Sequence, residues 1–291
     1  MTNAHTICEA LGGHWHSRYG LAFCPVHENT RTPALSVKDG DDGKLLVHCF
    51  AGCAGADVLA ALRARGLLAG RSDWTPDPRE TARRQAGEKA QAEKRSAQAH
   101  RLWREAQPIA GTLGEHYLRA RGITYPMPPT LRFHPTCWHK TARRFPALVA
   151  LVEGGDGFAV HRTYLGADGR KADVEPAKAM LGPCAGGAVH LSEGPGPLVV
   201  AEGVETALSL LCGLLRGPAT VWAALSTSGM KALHLPSQAE GLTIAPDGDT
   251  PGREAAHALA ERAAALGWCV SLLPAPDNRD WNDILQGRAA A

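Results

Sequence analysis

Two apolar runs in the last third of the chain, each closing on acidic residues, restrict its fold more than any other feature. The first is Leu198-Val-Val-Ala-Glu202-Gly203-Val-Glu205-Thr206, and the second is Leu242-Thr-Ile-Ala-Pro-Asp247-Gly248-Asp249-Thr-Pro-Gly252. Short β-branched runs bounded by turn residues read as buried strands, and a helical pattern follows each. Strands alternating with helices imply a parallel sheet, whose ligand crevice lies beyond the carboxyl ends of the strands. Glu202, Asp247 and Asp249 all fall at such ends. Any one of them alone could be a helix cap or a turn former. Three together would repel one another unless a hard divalent cation held them. A second acidic cluster, Asp280-Trp281-Asn282-Asp283, reads either as part of the same chemistry or as the N-cap of a short helix beginning near Ile284.

Near the amino end the chain reads Phe23-Cys24-Pro-Val-His27, and later Val47-His48-Cys49-Phe-Ala-Gly-Cys53. A Cys-x-x-His pair and a Cys-x-x-x-Cys pair supply four ligands suited to a closed tetrahedral zinc. Between them, strands near residues 34–38 and 44–48, joined by a turn over 39–43, make a hairpin. His48 would point to the opposite face of its strand, which favours Cys49 as the third ligand. So little apolar material lies here that the module needs a staple, and structural zinc contributes on the order of 10 kcal/mol to folding. The segment His134-Pro-Thr-Cys137-Trp-His139 lacks a fourth ligand and reads as a surface loop, and His14-Trp-His16 as a strand start. Cys8, Cys184, Cys212 and Cys269 read as small core residues.

The 291 residues leave room for two domains. No run approaches the roughly 20 apolar residues of a membrane helix, and the polar start lacks a signal peptide's features, so a cytoplasmic protein without membrane association is expected. Eight cysteines then read as thiols or metal ligands. Charge is uneven along the chain. Residues 76–190 hold 18 basic and 11 acidic side chains, whereas residues 191–291 hold 6 and 11. A basic middle beside an acidic end suits an enzyme that grips polyphosphate and acts on it with cations. Residues 79–107, rich in Ala, Glu, Lys and Arg with little apolar stripe, read as a connecting helix or flexible linker. No Gly-x-x-x-x-Gly-Lys-Ser/Thr loop occurs, which excludes a recognisable helicase ATPase.

Over about residues 196–286, Glu202-Gly203 and Asp247-Gly248-Asp249 resemble the Glu-Gly and Asp-x-Asp pairs of the Toprim domain. That acidic metal-binding module is shared by bacterial-type primases, some topoisomerases and certain nucleases. Many relatives carry asparagine where this chain has Gly248, a change expected to loosen the turn. Cys24, His27, Cys49 and Cys53, with Pro33-Ala-Leu-Ser-Val and Gly55-Ala-Asp57-Val58, resemble the zinc ribbon of bacterial and phage primases, with the ligand spacing of mobile-element members.

The resemblance implies an α/β protein with an N-terminal zinc ribbon (1–70), a helical linker (71–108), a basic α+β primase subdomain (109–195) and a C-terminal Toprim domain (196–291) with a parallel, Rossmann-like sheet. It implies a DNA primase that makes short RNA primers on single-stranded DNA from ribonucleoside triphosphates, beside a separate replicative helicase. Glu202, Asp247 and Asp249 would hold Mg²⁺ or Mn²⁺, and Cys24, His27, Cys49 and Cys53 one structural Zn²⁺. By the same likeness Arg162 and Lys178 face the acids across the template groove, with Arg143, Arg144 and Lys171 as further phosphate contacts. The alternatives are a Toprim-type nuclease, which needs no zinc ribbon, and a zinc-dependent single-stranded-DNA-binding accessory protein. A topoisomerase would need a catalytic tyrosine in a second domain, and Tyr19, Tyr117, Tyr125 and Tyr164 offer no convincing one.

Overall fold

A computed structural model describes residues 3–16, 19–27, 33–40, 44–68, 78–237 and 240–289. The chain divides into two compact units, Met1–Asp77 and Pro78–Ala291. The centre of the hairpin turn expected over 39–43 lies outside the described residues.

In the first unit, α1 (Ala4–Ala10) precedes β1 (His14–His16), β2 (Tyr19–Ala22), β3 (Leu35–Asp39), β4 (Leu45–Cys49) and α2 (Gly55–Ala64). The four strands form one antiparallel sheet in chain order, with Leu35 opposite Cys49. Its apolar face buries Leu35 and Val37 against Ile7 of α1 and Val58 and Leu62 of α2. The two helices therefore add to the hairpin a core that its own residues could not make.

The second unit opens with α3 (Pro78–Glu105), followed by β5 (Gln107–Pro108), α4 (Leu113–Ala120), β6 (Leu131–Trp138), β7 (Arg144–Val152), β8 (Ala159–Tyr164), β9 (Lys178–Leu181) and β10 (Val189–Ser192). Strands β5 to β9 make an antiparallel sheet in sequential order. Its two faces are covered differently. Leu131, Phe133, Leu148, Ala150 and Ala159 pack with Tyr117 and Leu118 of α4 and with the parallel-sheet core. Cys137, Ala147, Val149, Val160 and Tyr164 pack against Ala99, Leu102 and Trp103 near the end of α3. The last turns of α3 are thus part of the fold rather than a free linker. The segment expected as a surface loop is strand β6, with His134, Cys137 and the following His139 buried, because its alternating apolar residues serve two covered faces.

The remaining elements are β11 (Leu198–Ala201), α5 (Val204–Leu211), β12 (Thr220–Ala223), α6 (Thr227–Ala232), β13 (Gly241–Ala245), α7 (Thr250–Ala265), β14 (Cys269–Leu272) and α8 (Trp281–Ala289). The sheet order is β10-β12-β11-β13-β14; all neighbours are parallel except β10, which runs against β12. Val199, Ala201 and Ala245 face Ala207 and Leu208 of α5, while Leu198, Val200 and Ile244 face Ala255 and Leu259 of α7. A strand such as β11, buried at every residue, has no polar side to show, which explains its unbroken apolar run. Cys269, expected in the core, is exposed on the edge strand β14.

Candidate functional site

Strand order alone makes a crevice. From β11 the chain crosses to β12 on one side, and from β13 to β14 on the other, so β11 and β13 are neighbours whose exits diverge. Ala201 pairs with Ala245, which sets Glu202 beside the Pro246-Asp247 exit at the topological switch point. There, burial foremost and then Glu202 and Asp280 push the Asp247 carboxyl up to about 7, with only a hydrogen bond from Thr206 opposing. Glu202 is likewise raised, first by burial and then by Asp249, with Lys178 pulling the other way. Thr206 Oγ1 donates to Asp247 Oδ1 at 3.3 Å. Asp249 is the N-cap of α7, accepting from Gly252 N through Oδ1 at 2.8 Å. That duty occupies one of its oxygens.

The crevice has a fourth acid. Asp280 Oδ1 accepts from Asp283 N at 2.8 Å, and Asp283 Oδ2 accepts from Asp280 N at 3.1 Å. This reciprocal cap starts α8 at Trp281, three residues before the expected start. Gly248 is what lets the Asp280 loop approach. Its N–H donates to Arg279 O at 2.8 Å, its carbonyl accepts from Asn278 N at 3.0 Å, and a Cβ there would overlap the Pro276 carbonyl. Glycine therefore permits a close backbone contact here rather than loosening the turn. Asn282, buried to 1%, ties the same helix to Arg121 O at 2.9 Å and to Ser209 Oγ at 3.0 Å.

Basic residues meet these acids from the antiparallel sheet. Lys178 Nζ lies 2.8 Å from Glu205 Oε2, and Tyr117 OH donates to Glu205 Oε1 at 2.7 Å. Burial alone would raise the Glu205 carboxyl, but the charge and hydrogen bond of Lys178, with the Tyr117 hydroxyl, outweigh it and hold the group down at about 2. Lys171 is lowered from the ordinary lysine value by desolvation and by Lys178, with Glu205 and Asp280 opposing. Arg121 stands over the Tyr117 ring at 5.3 Å and reaches Asn282 Oδ1 at 3.3 Å. Glu205, Tyr117 and Arg121 carry no motif of their own, so sequence reasoning gave them no role.

Arg162 is not among them. On β8, His161 and Thr163 share the face of Lys178, which pairs with Thr163; Arg162 alternates to the face covered by α3. There it is 7% exposed, with Nη1 and Nη2 donating to Trp138 O at 3.4 Å and Met180 O at 3.2 Å. The expectation that it faces the acids fails on strand alternation. Arg143 lies over the Phe145 ring at 4.9 Å, and Arg144 donates to Thr136 O at 3.1 Å.

In the first unit, Cys24 follows β2, Cys49 ends β4 and Cys53 precedes α2, with Gly52 at φ +88° in the turn between the last two. The ligand atoms of Cys24, His27, Cys49 and Cys53 all lie within 4.8 Å of one another. His27 Nδ1 is 3.1 Å from Cys53 Sγ and 3.8 Å from Cys49 Sγ. A tetrahedral ion with metal–sulfur bonds of about 2.3 Å fits such a set. It is the one such compact set among the described residues; the crevice acids are neighbours without being gathered as tightly. His48 instead meets the Phe50 ring edge-on at 5.0 Å.

Against known proteins, residues 93–191 match a domain of unknown function (DUF7146), and residues 197–291 match the Toprim domain. No curated protein matches the chain. Four chains of solved structures are similar, and two of them follow. One is a DNA primase domain from Pseudomonas aeruginosa, with 17% identity over 67% of this chain and 74% of that one at a TM-score of 0.41. The other comprises the zinc-binding and RNA polymerase domains of the Aquifex aeolicus primase, with 13% identity over 99% and 80% at 0.45. Likenesses this distant bear on nothing further. Among the described residues, no helix is long and apolar enough to cross a membrane. With its mostly parallel sheet and the Glu202-Gly203 and Asp247-Gly248-Asp249 exits side by side, the carboxyl-terminal third of this protein is a Toprim domain.

Proposed function

We propose that the protein is a DNA primase, joining ribonucleotides into short RNA primers on single-stranded DNA. One observation carries the reading: within one unit, Lys178 acts on the Glu202 carboxylate at the Toprim switch point, and Lys171 lies within electrostatic reach of Asp280 beside it. Acids alone would serve a nuclease equally well. An acidic crevice walled by cations is what a polymerising site requires, because it must hold a triphosphate, a template strand and a leaving pyrophosphate at once.

Glu202, Asp247 and Asp249 would hold one or two Mg²⁺ or Mn²⁺ ions, their hard oxygens being the donors such cations take. When bound, the cation supplies charge to the triphosphate and lowers the pKa of the attacking 3′-hydroxyl. Thr206 orients Asp247, and Asp249 keeps one oxygen for α7 and one for the crevice. Lys178, shared with Glu205, and Lys171 neutralise phosphate oxygens. Cys24, His27, Cys49 and Cys53 would hold a structural Zn²⁺, and the first unit would read unpaired template bases by stacking and phosphate contact. A replicative helicase would be a separate partner.

The test is incorporation of labelled ribonucleotides on a single-stranded template with Mg²⁺ or Mn²⁺, resolved by product length. Asp247→Asn keeps the side chain's shape but removes a charged oxygen, and synthesis should fall by orders of magnitude, since charge stabilisation at a metal is worth several kcal/mol of barrier. Normal synthesis by that variant would defeat the mechanism. Wild-type protein that nicks DNA without extending a chain, with nicking lost in Asp247→Asn, would assign the site to a nuclease.

A further inference from the structure

The face of the β5–β9 sheet turned away from Lys178 holds a cavity of about 450 Å³, lined by Gln98, Arg101, Leu102 and Glu105 of α3 and by His134, Trp138, Arg144, Arg162 and Leu181. Pockets that take small ligands are of this size. Three guanidinium groups line it against one carboxylate. That carboxylate is already engaged, through Oε1 by Arg101 at 3.3 Å and through Oε2 by His134 at 3.6 Å.

Arg162 is the decisive residue. It is more than nine-tenths buried, and no carboxylate lies within ion-pairing distance of it among the described residues. Its two hydrogen bonds go to main-chain carbonyls, which fix the planar fork without neutralising it, and its Nε is buried with no acceptor. The Tyr164 ring, 5.6 Å from the guanidinium, offsets part of the charge, but a buried cation with no carboxylate partner still costs several kcal/mol unless an anion arrives from outside. Among the described residues Arg144 also has no carboxylate within ion-pairing distance, and it pairs across β6 and β7 with Trp138, which is 52% exposed. Paired guanidinium groups match a phosphate's geometry, and an exposed indole offers a plane on which a base can stack.

We propose that this cavity is a nucleotide-binding site separate from the acidic crevice, with Arg162 and Arg144 on a phosphate and Trp138 against the base. Its ligand is a nucleoside phosphate, either free or as one unit of a single strand. Because arginine rather than carboxylate makes the contacts, binding needs no divalent cation, and it does not depend on the activity assigned to the Toprim acids.

Calorimetry on the full chain without added divalent metal tests this, using ATP, inorganic triphosphate and a short oligothymidylate as probes. Arg144→Gln and Arg162→Gln should each weaken binding by at least about tenfold, the worth of a charge-assisted hydrogen bond. Trp138→Ala should weaken ATP but not triphosphate. Binding of the oligonucleotide alone, weakened by the same arginine variants, supports the site and assigns its phosphate to a strand. Wild-type binding of all three probes by Arg144→Gln overturns the proposal, as does absence of metal-free binding by any probe. Arg144 is exposed, so that variant decides the matter even if Arg162→Gln does not fold.

Discussion

Lys178→Met should destabilise the second unit far more than Glu205→Gln, although the two changes break the same pair. The side chains are 37% and 6% exposed and sit 2.8 Å apart. At an effective dielectric of about 20 their gross attraction is about 6 kcal/mol, most of it cancelled by the cost of removing both charges from water. Removing the lysine strands a carboxylate inside the protein with the Tyr117 hydroxyl and its own backbone N–H left to satisfy it. Breaking a buried pair in this way costs about 3–5 kcal/mol, and water reaching the half-open lysine position sets the expectation at the lower end, about 3 kcal/mol. Glu205→Gln removes the buried charge, keeps an acceptor for Tyr117 and leaves Lys178 to the solvent, for about 1 kcal/mol. The double variant should be more stable than Lys178→Met alone. Acidification supplies the sign check. Held down at about 2, Glu205 stabilises the wild type fully above its unfolded value near 4.5, and that contribution is lost as pH falls towards 2. Without Lys178 the carboxyl rises and protonates earlier, so the deficit of Lys178→Met should shrink between pH 7 and about pH 4.5. Urea unfolding of the four proteins at both pH values measures all of this. Equal losses in the two single variants, or simple additivity in the double, would refute the argument.

Three further outcomes follow from named contacts. Cys24→Ser should lower bound zinc from about one ion per chain and unfold the first unit, whereas Cys137→Ser, in the core of the second unit, should leave the metal content unchanged by elemental analysis. His161, fully buried and pushed down to about 4 by desolvation first and Lys178 second, resists a proton that the unfolded chain accepts near pH 6.5. Its contribution is present above that value and lost as pH falls towards 4, so the wild type should lose about 3 kcal/mol relative to His161→Gln across that window, and parallel pH profiles would contradict this. Gly248→Ala would drive a methyl into the Pro276 carbonyl, with Arg279 O 2.9 Å away, and should cost about 1–3 kcal/mol in thermal or urea unfolding while displacing Asp280 from the crevice.

Sequence alone determined whatever is encoded within one strand and its exit. Runs too short and too apolar for anything but doubly covered strands, each closing on an acid, put Glu202, Asp247 and Asp249 at one edge of a parallel sheet. Ligand spacing about a hairpin likewise brought Cys24, His27, Cys49 and Cys53 together, and strand alternation favoured Cys49 over His48. Tertiary structure decided which partners the rest would meet. Arg162 and Lys178 read alike in the sequence, yet the register of β8 against β9 sends one towards α3 and the other towards Glu205. Tyr117 reaches Glu205 across 88 residues, and Asn282 reaches Arg121 across 161. Neither pairing has a local signature, because each depends on how separately formed elements pack. Asp280 joins the other acids for the same reason: Gly248, separated from it in the chain by α7 and β14, lets one backbone lie directly on another. Local pattern dictates which face of an element is apolar, but only the packing of those faces decides which charges are left looking at each other.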